Sequence, residues 1–315
     1  MTTEYQTAWR SFLTTFEPLR AELYRYCRYL TRSPWDAEDL AQDALARGFA
    51  TLAKMDGVPP NPRAWLFRVA SNLWIDQLRK RRDVPVADEA IAIEPRAPRE
   101  AAGTLLVRLS PQERAAVVLK DVFELSLDEI ADALGTTVGT VKTALHRGRG
   151  KLVDDDAPEP TTAPAPGALD EFCRAFNAGD LDRLTALLLD TSVVEVVGAT
   201  VQYGPEAARR TVLYGMVFGT RLLAGPDNPL DRELTYGVLA DSPRAEARWY
   251  RDRWIVLGWY KHADGVEAVR AVTTLELDGD RVARLANYFY TSELLHDIGA
   301  ELGVPIRSNG HRWWR

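Results

Sequence analysis

Side chains of the types that bind nucleic acid are clustered in one short stretch near the middle of the chain. Lysine and arginine bind phosphates and guanine edges, and threonine hydrogen bonds to base edges. In the stretch GTVKTALHRGRGKL such residues are interleaved with apolar residues at helical spacing, which places them on one outer face. The candidate DNA-contacting residues are Lys142, Thr143, His146, Arg147 and Arg149.

Two capping boxes delimit the helices that must position this face. The tetrapeptide SPQE at 110–113 starts one helix, and SLDE at 126–129 starts the next, which Gly135 ends. A three-residue turn then leads into the basic helix. This is the geometry of a helix-turn-helix, which places its second helix in the DNA major groove. The alternative is a plain three-helix bundle with a solvated basic face.

This stretch resembles region 4 of bacterial sigma factors of the extracytoplasmic-function type, in which the pattern GTVKSRLHRARxxL is usual. The resemblance implies that the basic helix reads the −35 promoter element. Two residues depart from the pattern. Ala144 replaces an arginine, so one DNA contact is expected to be missing. Gly148 replaces an alanine, which is expected to weaken the helix by about 1 kcal/mol.

Two helices are predicted upstream, over residues 5–31 and from residue 34 to about residue 54. The outer face of the second helix carries Glu38, Asp39, Gln42 and Asp43. By itself such a face is typical of a solvated surface. The segment AEDLAQDALARGF resembles sigma region 2.2, which implies that Asp39, Gln42 and Asp43 dock on the clamp helices of the polymerase β′ subunit.

A proline-rich loop at 54–62 precedes a long helix whose C-terminal end is basic. Four consecutive cations at 79–82 suit the helix dipole, which is the structural alternative to DNA binding. The segment PRAWLFRVASNLWIDQLRKRR resembles sigma regions 2.3 and 2.4. This resemblance implies that the loop and Asn72 hold an unstacked base of the −10 element. The residues implied as DNA-backbone contacts are Arg63, Arg68, Arg79 and Arg82.

The C-terminal part of the chain predicts helices first and then a meander of long strands, the order of an α+β domain. A helix is predicted at 181–189 and a single strand at 193–201. The segment FCRAFNAGDLDRLTALL and the strand order resemble the SnoaL-like branch of the NTF2-like cone, which encloses a pocket between sheet and helices. The candidate pocket residues are Tyr203, Trp259, His262, Asn287 and Tyr288. The alternative is that these side chains are simply core.

Charge is unevenly distributed along the chain. Residues 1–153 hold 22 Lys and Arg against 20 Asp and Glu, whereas residues 154–315 hold 17 against 25, giving net charges of +2 and −8. So weak a positive charge in the first half predicts DNA binding that depends on a larger partner. No apolar run is long enough to span a membrane, so a cytoplasmic protein without membrane contact is expected. Cys27 and Cys173 are expected to be separate buried thiols, and no spacing predicts a metal or cofactor site.

These patterns predict a multidomain chain, with two all-α sigma domains followed by an α+β NTF2-like cone. The expected boundaries are region 2 at 1–83, a linker at 84–104, region 4 at 105–153, a Pro-rich linker at 154–167, the cone at 168–302 and an aromatic-basic tail at 303–315. The tail is too short to fold alone and is expected to dock on the cone or on the sigma domains.

The resemblance implies a sigma factor without catalytic residues, which binds promoter DNA and the β′ clamp and β flap of core RNA polymerase. The cone is expected to regulate this activity in cis, through intramolecular contact with the sigma domains. The alternative function is that of a SnoaL-type small-molecule enzyme or ligand-binding domain fused to a DNA-binding module.

Overall fold

The computed structural model describes residues 11–52, 58–83, 109–151, 165–223, 243–262 and 264–310. The chain divides into two compact units, Met1–Pro160 and Thr161–Arg315. Predictions for nearly all of both linkers, for the loop residues 54–57, for the side chain of Arg82 and for residues 311–315 lie outside the described residues. Within the ranges above, no helix is long and apolar enough to cross a membrane.

The first unit is helical wherever it has regular structure in the described ranges. Its helices are α1 Arg20–Thr31, α2 Pro34–Leu52, α3 Pro62–Asp83, α4 Pro111–Asp121, α5 Leu127–Leu134 and α6 Val138–Gly150. The prediction of one uninterrupted helix over 5–31 is wrong, because Glu17–Leu19 form a 3-10 turn that contains Pro18. Proline lacks the N–H that a helix interior requires, so the helix is interrupted there and α1 starts afresh.

Local capping groups fix the ends of α4 and α5. The N–H of Glu113 donates to Ser110 Oγ at 3.3 Å, and the N–H of Ser110 donates to Glu113 Oε2 at 2.8 Å. Ser126 and Glu129 form the same reciprocal pair at the start of α5, at 3.2 and 2.8 Å. Helix α5 ends at Gly135, whose φ of 59° favours glycine. The predicted helix-turn-helix is confirmed.

Gly148 lies buried where α6 packs on α4. A Cβ atom at this position would stand 2.8 Å from Cγ2 of Val117 and 3.5 Å from Cβ of Glu113. Valine is β-branched and has little freedom to turn away. Glycine at this position weakens the helix, as expected from the sequence. It is nevertheless required by the packing, because it lets the two helices approach closely.

The second unit has the predicted α+β composition. Its helices are α7 Gly167–Ala178, α8 Leu181–Ala186, α9 Pro205–Ala208, α10 Tyr214–Leu223 and α11 Ser292–Leu302, with a π-helical turn Arg209–Leu213 between α9 and α10. Its strands are β1 Leu188–Val196, β2 Thr200–Tyr203, β3 Arg244–Tyr250, β4 Arg253–Lys261, β5 Glu267–Asp278 and β6 Arg281–Tyr288.

The six strands form one sheet in the order β2-β1-β6-β5-β4-β3. Strands β1 and β6 are parallel, and the other neighbouring pairs are antiparallel. The single strand predicted at 193–201 is wrong, because a turn with Gly198 at φ 73° reverses the chain between β1 and β2. The helix predicted at 181–189 ends earlier, at Ala186, and Leu188 already belongs to β1.

Helices cover both faces of this sheet. Phe172 of α7 belongs to a buried cluster with Ala247 of β3 and Val256 of β4 on one face. Tyr250 points to the opposite face of β3 from Ala247, because side chains alternate along a strand. Its hydroxyl donates a hydrogen bond of 2.7 Å to Glu301 of α11. Helix α11 therefore lies over the second face, where it also packs against β5.

Residues 304–310 of the tail dock on the sheet of their own unit. The N–H of Val269 in β5 donates to the carbonyl of Pro305 at 2.9 Å, and the N–H of Arg307 donates to the carbonyl of Val269 at 3.1 Å. Beside them the buried side chain of Arg270 donates from Nε to Asn309 Oδ1 at 2.8 Å. Of the two docking surfaces expected for the tail, this part uses the cone.

The packing at Gly148 predicts that Gly148→Ala lowers stability, whereas helix propensity alone predicts that it raises stability. Gly148→Ala should gain about 1 kcal/mol in helix propensity, but overpacking against Val117 should cost about 1–3 kcal/mol. We expect a lower midpoint of unfolding for the full chain, measured by circular dichroism in urea. In a Val117→Ala background the same substitution should be neutral or stabilising. Equal effects in the two backgrounds would contradict this explanation.

Candidate nucleic-acid and polymerase interface

The five candidate DNA-contacting residues of α6 lie exposed on one side of the helix. Val141, Ala144, Leu145 and Gly148 form the buried side. The expectation that Ala144 costs this helix a DNA contact is therefore not supported, because position 144 faces the interior. Arg149 Nε donates to Asp121 Oδ2 of α4 at 3.1 Å, and this hydrogen bond raises the pKa of Arg149. A phosphate would have to replace Asp121 as the partner of Arg149.

The candidate −10 residues of α3 are divided between two environments. Asn72 and Arg79 are exposed, and Arg79 pairs with Asp76 one turn earlier at 3.5 Å. Arg63 and Arg68, by contrast, contact residues of the α4–α6 group. Trp74 of the same helix is buried, and the guanidinium of Arg114 lies 5.3 Å from its ring centroid.

Phe123, in the turn after α4, inserts its ring between α1 and α3. Its centroid lies 5.3 Å from that of Phe67 and 5.8 Å from that of Tyr26, in edge-to-face arrangements. The guanidinium of Arg63 lies 5.4 Å from the Phe67 centroid and donates to the carbonyl of Phe123 at 3.3 Å. Arg63 also donates from Nε to Glu22 at 2.9 Å. We call this contact between α1–α3 and α4–α6 the seam.

Polar pairs extend the seam on both sides of Phe123. Arg68 lies 3.5 Å from Asp132 of α5, and Asn61 Nδ2 lies 3.5 Å from Glu129 Oε1. Arg114 of α4 donates to the carbonyl of Leu30 at 2.7 Å, and burial, with a smaller contribution from Arg32, lowers the pKa of Arg114 to about 10. In this conformation the helix-turn-helix therefore contacts two of the arginines assigned to −10 DNA, of which Arg63 is half-buried and Arg68 stays exposed.

The polar face of α2 differs from its prediction at one position. Asp39 and Asp43 are exposed and Gln42 is half-buried, as a docking surface requires. Glu38, which the sequence places on the same face, is fully buried and pairs with Arg20 of α1. Helical spacing puts Glu38 beside Asp39, but only the fold shows that a buried guanidinium lies against it.

The structure does not bring the five candidate pocket residues together. The side chain of Tyr203 is 74% exposed on the edge strand β2, and three strands separate β2 from β4, which carries Trp259. Asn287 and Tyr288 are consecutive in β6 and so point to opposite faces. His262 is buried, its Nδ1 lies 3.0 Å from the carbonyl of Val266, and burial lowers its pKa.

Asn287 lies on the same face of β6 as Leu285, which belongs to the buried cluster with Phe172 of α7. Its Nδ2 donates to Thr273 Oγ1 of β5 at 2.9 Å, and both side chains are buried. In the part of the chain that the structure describes, no three His, Cys, Asp or Glu side chains are grouped as a metal ion would require.

Comparison with known proteins finds matches to both helical groups. Residues 15–84 match the family Sigma-70 region 2, and residues 99–152 match Sigma-70, region 4. The chain is 31% identical over 163 residues to ECF RNA polymerase sigma factor SigW of Bacillus subtilis, across 45% of this chain and 87% of that protein.

A longer alignment reaches beyond the helical groups. The chain is 31% identical over 239 residues to ECF RNA polymerase sigma factor SigG of Mycobacterium tuberculosis, across 63% of this chain and 64% of that protein. It thus spans less than two thirds of SigG. The solved structure of the Mycobacterium tuberculosis extracytoplasmic function sigma factor SigJ matches 89% of this chain and 97% of its own, with 23% identity and a TM-score of 0.33.

The seam predicts that Phe123 controls access to Arg63. Phe123→Ala should loosen the contact and expose the Arg63 guanidinium, because the substitution removes the ring that packs beside it. We expect phenylglyoxal to modify Arg63 several-fold faster, as read by mass spectrometry with the exposed Arg79 as internal reference. Val122→Ala is the matched control, since the neighbouring Val122 is 46% exposed. An unchanged ratio of Arg63 to Arg79 modification would show that Phe123 does not hold the seam.

Proposed function

Because this chain belongs to the extracytoplasmic-function family of RNA polymerase sigma factors, we propose that it binds core RNA polymerase and directs it to promoters with −35 and −10 elements. The observation that carries the proposal is the outer face of α6, where five donor side chains are exposed on the second helix of a capped helix-turn-helix. In this proposal the chain has no catalytic chemistry of its own and works in the cytoplasm with the polymerase.

Helix α6 reads the −35 element from the major groove. Lys142, Thr143 and His146, near the start and middle of the helix, reach base edges, as recognition helices do with their N-terminal residues. Arg147 and Arg149 contact phosphates and set the register. The near-neutral charge of the first half of the chain supports a dependence on polymerase, because phosphate contacts supply most sequence-independent affinity.

Helix α3 holds the −10 element. Asn72 is exposed and can hydrogen bond to an unstacked base, and Arg79 lies near the basic end of the same helix. Arg63 and Arg68 reach the DNA backbone only after they leave Glu22, Asp132 and the carbonyl of Phe123. We expect α4–α6 to separate from α3 on promoter binding, which releases Arg63 from the carbonyl of Phe123 and Arg68 from Asp132. A separation of this kind also lets the two reading helices address two separated elements.

Helix α2 supplies the polymerase contact. Asp39 and Asp43 are exposed one helical turn apart, with the half-buried Gln42 between them, and this acidic face suits a basic surface on the β′ clamp. The β flap receives the α4–α6 group, and the second unit regulates the activity in cis.

Transcription in vitro tests the proposal. Full-length protein and core RNA polymerase are incubated with a genomic promoter library, and transcripts are mapped by their 5′ ends. We expect start sites that depend on the protein and share sequence motifs near −35 and −10. Transcripts identical to those of core polymerase alone would refute the proposal. Tight, specific binding of duplex DNA without polymerase would instead indicate a conventional helix-turn-helix repressor.

Replacement of Lys142 should change promoter choice rather than overall activity. Lys142→Ala removes a donor to base edges and should cost about 1–3 kcal/mol at the preferred −35 sequence. Promoters that differ only at −35 should then become more nearly equal in the same transcription assay. Arg149→Ala serves as the control, because loss of a phosphate contact should weaken all promoters alike. If Lys142→Ala keeps the wild-type ranking of promoters, the assignment of the base-reading face is wrong.

A further inference from the structure

A buried carboxylate lies directly beneath the polar face of α2. Glu38 is 0% exposed, and it pairs with Arg20 of α1, which is 6% exposed. The same oxygen, Oε1, accepts a second hydrogen bond of 2.8 Å from Nε2 of Gln42, one turn further along α2. A buried pair of this kind is weak support for stability, because desolvation offsets much of the attraction between the charges. A role beyond stability therefore has to be considered.

The contact with Glu38 determines which end of the Gln42 amide faces outward. A carboxylate paired with a guanidinium offers only acceptor oxygens, so it can bind the NH₂ end of the amide and not the carbonyl. The oxygen and nitrogen of a glutamine amide are assigned from their hydrogen-bond partners, and Glu38 is compatible with only one orientation of the Gln42 amide. The carbonyl oxygen Oε1 of Gln42 is thus the end of the amide turned away from Glu38, in a residue that is half-buried.

We infer that Glu38 is a positioning residue, which turns Gln42 so that its carbonyl oxygen joins the carboxylates of the α2 face as an acceptor toward core RNA polymerase. These acceptors are the carboxylates of Asp39 and Asp43 and the carbonyl of Gln42. The surface they fit is a row of arginine or lysine side chains, because these supply the charge-assisted donors that carboxylate and carbonyl oxygens accept. The inference rests on the proposed function, specifically on polymerase binding by α2.

Exchanging the residue types at positions 38 and 42 distinguishes a positioning role of Glu38 from a purely structural role. Glu38→Gln supplies both a donor and an acceptor, so it no longer fixes the amide of Gln42. We expect affinity for core polymerase to fall about tenfold, the order expected for one charge-assisted hydrogen bond. In the double variant Glu38→Gln/Gln42→Glu, the new amide donates to the new carboxylate, whose second oxygen again faces outward. Affinity should return to within about threefold of wild type.

The exchange does not restore the ion pair of Arg20, so a purely structural role for Glu38 predicts no rescue. Affinities are measured by fluorescence anisotropy on the labelled full chain, with thermal unfolding recorded for each variant. Glu206→Gln, a matched loss of one exposed carboxylate in the second unit, should bind as wild type does. Gln42→Lys, which replaces the acceptor by a donor, should bind more weakly than Glu38→Gln.

Two results would overturn the inference. One is wild-type affinity in Glu38→Gln, and the other is a folded Glu38→Gln that binds weakly without rescue by Gln42→Glu. Should Glu38→Gln fail to fold, Gln42→Met tests the same atom with the Arg20–Glu38 pair intact. We expect a loss of about tenfold there as well, and unchanged binding would equally reject the inference. Failure of the wild-type protein to bind core polymerase would instead refute the proposed function itself.

Discussion

The insertion of Phe123 between α1 and α3 is the contact on which the arrangement of the first unit depends. Burial of one phenylalanine side chain contributes about 1.5–3 kcal/mol, whereas exposed ion pairs such as Arg68–Asp132 contribute about 0–1 kcal/mol each. The ring therefore contributes more to the seam than an exposed polar pair does, beside the packing of α3 on α5. The carbonyl of Phe123 also accepts from Arg63, so loosening this contact would leave Glu22 of α1 as the remaining hydrogen-bond partner among those described for this guanidinium.

Local signals in the sequence were sufficient to predict the helix-turn-helix, whereas contacts between distant residues could not be predicted from them. The capping serines, Gly135 and the donor face of α6 were predictable because each acts within one or two helical turns of itself. Glu38 was misplaced because its partner is on another helix, 18 residues away. Nothing in the residues around Phe123 distinguishes a ring that joins two helical groups from an ordinary core residue, and Gly148 looked unfavourable until its distance to Val117 was known.

In the second unit less could be predicted from the sequence, because successive residues of a strand point to opposite faces of the sheet. Composition and turn signals identified an α+β domain, and the number and order of strands followed from the fold. The candidate pocket required the register as well. Irregularities between Gly258 and Trp259 and between Glu276 and Leu277 shift the pairing of β4 with β5 and of β5 with β6. A shift of one residue moves side chains from one face of the sheet to the other. Aromatic content alone therefore could not identify residues whose side chains line the same pocket.

Because segment 304–310 docks on the sheet, the second unit extends beyond residue 302, where the sequence predicted its end. Asn309 holds the side chain of Arg270, which is only 2% exposed, and its Nδ2 donates to the carbonyls of Arg270 and Phe289 at 2.8 and 2.7 Å. A chain cut after Leu302 would remove the amide partner of this buried cation, and loss of a hydrogen-bond partner from a buried charged group is destabilising. A fragment that keeps these contacts therefore has to include Asn309, and a shortened protein that stops at 302 would report on misfolding before it reported on regulation.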